Sequence, residues 1–96
     1  MSPINKKRLN LLRVKLDKLD NELLRLIKKR SNLVNEVLKV KIHKKEIIDQ
    51  KRINFILKKI KAKSKKLKID PKITTRIWKN MIWSFIDYEK RNFKKK

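Results

Sequence analysis

Between Asn5 and Lys44 the chain contains neither proline nor glycine, and its apolar residues recur at the spacing of an α-helix. Leu9, Leu12, Leu16, Leu19, Leu23, Leu26, Leu33, Val37 and Val40 step by three, four or seven residues, and Leu24, Ile27 and Val34 widen the stripe. The pattern predicts one helix of about 38 residues, roughly 57 Å long at 1.5 Å per residue. A compact domain of 96 residues is only about 32 Å across. Such a helix outruns anything its own chain can wrap around it. Part of its apolar stripe needs a second surface, most simply the same helix of another copy. An obligate homodimer is therefore expected.

The stretch KKEIIDQKR interrupts this first helix. Asp49 is a good N-cap for a second helix from about Gln50 to Lys66, with Ile53, Ile56, Leu57 and Ile60 on its buried face. KSKKLKIDPK reads as a short polar connection. Asp70-Pro71 is a strong start signal, a capping side chain followed by a proline at the first helical position. A third helix then runs to about Phe93, burying Ile73, Ile77, Trp78, Met81, Ile82, Phe85 and Ile86, while KRNFKKK (90–96) reads as a frayed basic tail. Glycine is absent and the only prolines are Pro3 and Pro71. Tight hairpins built on Asn-Gly or Gly-Gly are thus excluded. The expected fold is all-α, a three-helix subunit forming one domain over 1–96. Its small size limits the core and makes a partner chain helpful.

The formal net charge is +22, from 24 Lys and 7 Arg against nine acids. A surplus of this size suggests a polyanionic partner such as nucleic acid, or an anionic membrane surface. The lysines, however, are spread along the whole chain, and base recognition leans on arginine. A membrane-surface helix would need the apolar stripe that the core also requires. No apolar run approaches the roughly 20 residues that span a bilayer, and the N-terminus lacks the apolar segment of a signal peptide. The expectation is a cytoplasmic protein with no membrane contact and no sequence-specific nucleic acid.

Most catalytic signatures are missing. The sequence has no glycine loop for phosphates, no cysteine, a single histidine (His43) and no base beside Ser2, Ser31, Ser64 or Ser84. No cofactor or metal is expected. What remains is the binding of an anion by fixed cations, which can itself be catalytic. On a continuous helix Arg30 and Lys41, 11 residues apart, lie about 20° out of line and roughly 17 Å apart along the axis. They would grip a small dianion from one face. Arg13 is about 26 Å from Arg30 and turned by about 100°, so it reaches such a pocket only from an antiparallel partner helix.

The run LLRVKLDKLDNELLRLIKKRSNLVNEVLKVK, followed by IIDQKR and by IWKNMIWSFIDYE, resembles the helical (AroQ-type) chorismate mutase family across nearly the whole chain. That resemblance implies an intertwined homodimer of three-helix subunits, with two active sites each completed by the partner's first helix. It implies that Arg13 of the partner subunit, Arg30 and Arg52 bind the substrate carboxylates, and that Lys41 binds a carboxylate and the ether oxygen. Asp49 would sit near the ring hydroxyl, and Glu89 would face the ether oxygen. Among cations that are Arg only 7 times in 31, all three positions where the family has Arg carry it, a coincidence of about 1%; bidentate pairing with carboxylate is the physical reason. Trp78, Trp83, Phe55 and Tyr88 are expected to pack rather than to touch ligand.

The implied reaction is the pericyclic rearrangement of chorismate to prephenate, which asks for neither nucleophile nor metal. Glu89 can donate to the ether oxygen only when protonated. Activity is then expected to fall as pH rises, and Glu89→Gln to flatten the profile. Three departures point elsewhere in the same family. Ile53 follows Arg52 where many mutases carry Glu, Phe85 replaces a common Ser, and the Lys41-to-Arg52 connection is one residue short. That length and the aromatic IWSFIDYE segment are similar to the isochorismate–pyruvate lyases, which yield salicylate and pyruvate. Asp49 argues for the mutase. A basic helical dimer that binds nucleic acid without catalysis is the competing class.

Overall fold

A computed structural model describes residues 1–95. Among them are three α-helices, α1 (Pro3–Val40), α2 (Gln50–Lys66) and α3 (Pro71–Asn92), with a single 3-10 turn at Lys44–Ile47 between the first two. The chain divides into two units, Met1–Leu33 and Val34–Lys96.

The first unit is helical from Pro3 onward, two residues earlier than the apolar pattern suggests. Ser2 accounts for the difference. Its Oγ accepts the Asn5 N–H at 3.2 Å and its carbonyl accepts the Lys6 N–H at 2.9 Å. Ser2-Pro3 is thus the same cap-then-proline signal as Asp70-Pro71. No residue of α1 is buried. Leu12, Leu16, Leu19, Leu23, Leu24 and Leu26 stay between 47% and 63% exposed.

The second unit holds the core. Ile47, Ile53, Ile82 and Ile86 are buried, and Leu38, Ile56, Leu57 and Phe93 pack against them. α2 begins where Asp49 accepts the Arg52 N–H at 3.0 Å, and α3 where Asp70 accepts the Lys72 N–H at 2.9 Å. Both caps and the span of α2 agree with expectation. Between the two helices, Leu67 donates to Lys63 and Ile69 to Ser64, with Lys68 at φ 57°. This left-handed residue closes the end of α2 in the place where glycine is usual. Near that turn, buried Ser64 bonds the Ile60 carbonyl and the Thr74 hydroxyl, each at 2.6 Å, tying α2 to α3.

Two expectations about packing need correction. α1 ends at Val40 rather than near Lys44, because the following residues are taken up by tertiary contact. Lys41 N–H makes a tight bond to the Leu38 carbonyl at 3.3 Å, and the 3-10 turn packs on α3, burying Ile47. In α3, Ile73 and Ile77 are 56% and 52% exposed. The inward stripe runs through Thr74, Trp78, Ile82, Ile86, Glu89 and Phe93. Ile73 and Ile77 each precede a member of that stripe by one residue, hence by 100°. Met81 and Phe85 are half-buried at its edge. Helix α3 continues through Lys90, Arg91 and Asn92, and Phe93, the first extended residue after it, still packs against the core. Lys96, the last residue of the expected basic tail, lies outside the described residues.

Candidate active site

The end of α1 and the C-terminal half of α3 meet in the second unit. The Tyr88 hydroxyl donates to Asn35 Oδ1 at 2.7 Å, bridging residues 53 apart in sequence. One residue further on, Glu89 turns inward; at 6% exposure it is, with Ser64, one of two buried polar residues among those described. Its Oε1 accepts a hydrogen bond from Lys41 Nζ at 2.9 Å. The side chains are 16% and 8% exposed for Lys41 and Glu89. The nearer cation on α3, Arg91, pairs with Asp87 at 3.0 Å instead. Glu89 has therefore bypassed its sequence neighbours for a lysine 48 residues away. A buried carboxylate is costly without such a partner.

Lys41 lies one residue beyond α1. The Glu89 carboxylate aims it. Beside it a groove of about 440 Å³ is lined by Lys41, Glu46, Ile48, Asp49, Gln50 and Lys51. Its wall is braced locally. Glu46 Oε1 accepts the His43 backbone N–H at 2.9 Å, and Asp49 Oδ1 is engaged by the Arg52 N–H. His43 itself is exposed.

Lys41 thus touches Glu89 and shares the groove with Asp49. Arg52 lies in the first turn of α2, its backbone N–H on Asp49, but its guanidinium lies over the Phe55 ring, 5.4 Å from the centroid, with Lys59 Nζ at 5.8 Å from the same ring. Arg13 and Arg30 belong to the first unit, where Arg13 is exposed and Arg30 half-buried. Glu46, Gln50 and Lys51 were not singled out from the sequence. Glu46 had a signal: it stands three residues after His43, the spacing of a capping box. Gln50 and Lys51 had none. Among the described residues no three His, Cys, Asp or Glu side chains gather so as to hold a metal.

An all-helical chain that aims a lysine from the end of a long helix by a buried glutamate of the last one is built to present fixed charge. The family model for chorismate mutase type II matches residues 12–90. The chain belongs to that family. Neither the search of curated proteins nor that of solved structures returned a match.

Proposed function

We propose that this protein is a chorismate mutase, which converts chorismate to prephenate by holding it folded and stabilising the negative charge that grows on its ether oxygen. The observation that supports this reading most is the Lys41–Glu89 contact at 2.9 Å. An ammonium has three N–H donors and Glu89 takes one, leaving a fixed cation able to meet the ether oxygen and a carboxylate. A rearrangement with cyclic electron flow draws its acceleration from orientation and from such preplaced donors.

In this reading Arg30 and Arg52, with Arg13 of the partner subunit, bind the substrate carboxylates, and Asp49 meets the ring hydroxyl. Arg52 must leave the Phe55 ring for that. At an exposed site the cation–ring contact is worth only about 0.5–1 kcal/mol, and a charge-assisted bidentate bond to carboxylate outweighs it. This reading calls for a homodimer with shared sites. The bare apolar face of α1 supports the dimer, since a monomer rarely leaves a large contiguous apolar surface in water.

The test is an assay of the purified protein with chorismate and, separately, with isochorismate. Prephenate from chorismate is the expected product. Salicylate and pyruvate from isochorismate, with no prephenate from chorismate, would reassign the chain to the lyase branch. Among the described residues no helix is long and apolar enough to cross a membrane.

A further inference from the structure

A second groove, of about 660 Å³, opens between α2 and the N-terminal half of α3, lined by Lys61, Pro71, Lys72, Thr75, Arg76, Lys79 and Asn80. It is separate from the candidate active site. Lys79 precedes Glu89 by ten residues on one helix, about 15 Å along its axis. Four of the lining residues are cations and none is an acid. Among the described residues none of the four is paired with a carboxylate; the cations that are so paired are Lys39, Lys41 and Arg91.

The placement of these charges is regular. Lys72, Arg76 and Lys79 step by four and three residues, which sets them in one row along α3. Lys58 and Lys65 flank Lys61 at spacings of three and four, setting a second row along α2. Over residues 50–86 there are twelve Lys and Arg against the single acid Asp70, whose carboxylate accepts the Lys72 N–H at the start of α3. Cations outnumber this one acid at the edge of the groove, so the field over the face is positive.

We infer that this groove binds the phosphodiester backbone of nucleic acid, without reading bases. The shape favours a chain of phosphates over one enclosed small molecule: all four cations are exposed, and no lining residue is buried. Pockets for small ligands bury most of the ligand. The row from Lys72 to Lys79 is about 10 Å long, and a duplex carries a charge about every 1.7 Å of its axis, so the row stays within reach of phosphates along its length. Three of the four cations are lysines, point charges that suit phosphate contact, whereas base edges are read by forked side chains. Thr75 and Asn80 add neutral donors of the kind that also meet phosphate oxygens. This binding is independent of the proposed activity.

The experiment is fluorescence anisotropy of a labelled 20-base-pair duplex between 50 and 200 mM salt, with the full chain. Three to four phosphate contacts give a slope of log K against log salt near about −3. The variant Lys61→Gln/Arg76→Gln/Lys79→Gln should shift that slope toward zero by about 2–3 and weaken binding by about tenfold or more. Lys6→Gln/Lys7→Gln/Arg8→Gln removes the same charge at the other end of the chain and should change the slope by less than about one. Unchanged helical circular dichroism of both variants keeps the comparison valid. Equal losses for the two triple variants would mean that net charge alone attracts DNA, and would overturn the inference. Displacement of the duplex by ATP at matched phosphate concentration would also overturn it, by assigning the groove to small phosphates.

Discussion

Lys41 and Glu89 carry opposite duties in one contact. The carboxylate satisfies a buried site only because the ammonium is there, and the ammonium is aimed only because the carboxylate is. Replacing Lys41 by Met leaves Glu89 without its partner and removes the donor proposed for the ether oxygen. Mutase turnover should drop by about 100-fold or more, the loss seen when one such preplaced donor is deleted; a drop of less than about threefold would dismiss Lys41 from the chemistry. Glu89→Gln is the subtler variant, since an amide both accepts from Lys41 and donates at every pH. The Gln variant should keep Lys41 in place and retain turnover, whereas Glu89→Leu, which offers no acceptor, should lose it. Equal losses in the two variants would assign the carboxylate a duty beyond holding Lys41. Lys68 tests backbone rather than chemistry. It holds φ 57° at an exposed turn, so Lys68→Gly should raise unfolding stability by about 0.5–1 kcal/mol, read from urea denaturation.

At the scale of elements, two capping aspartates invite different outcomes. Asp49 and Asp70 both cap a helix through a side-chain oxygen. Asn caps about as well as Asp. Asp49→Asn should therefore leave stability within a few tenths of a kcal/mol, while KM for chorismate changes if the charge of Asp49 serves the ring hydroxyl. An unaltered KM would reduce Asp49 to a cap. Asp70→Ala removes the second cap with no substrate role attached, and should cost about 1 kcal/mol in stability with KM unaffected. The caps, the span of α2 and the proline start of α3 were legible in the sequence because each depends on residues within four positions. The end of α1 was not. Ile47 is buried against α3 and Lys41 is held by Glu89, and contacts between distant parts of the chain leave no local mark.

At the scale of the molecule, α1 presents an apolar stripe with nothing buried. Most helices in proteins draw their stability from packing of such a face, and the proposed homodimer supplies it. Sedimentation equilibrium should give about twice the 11.7 kDa of one chain, in keeping with an interface built on continuous apolar surface. Leu16→Lys/Leu23→Lys should drive the mass toward that of one chain and abolish turnover with it. A wild-type monomer with full activity would refute the shared site.

By itself the sequence determined three helices, two aspartate caps and the family, because periodicity, capping and motif spacing are written in neighbouring residues. Only the tertiary structure decided that Lys41 pairs with Glu89 rather than continuing a helix, that Arg52 rests on Phe55, and that Ile73 and Ile77 face outward. Those outcomes follow from which face of α3 meets α2 and the 3-10 turn, a choice made by packing over dozens of residues. A 100° step between Ile77 and Trp78 separates surface from core, and apolar composition alone does not distinguish them.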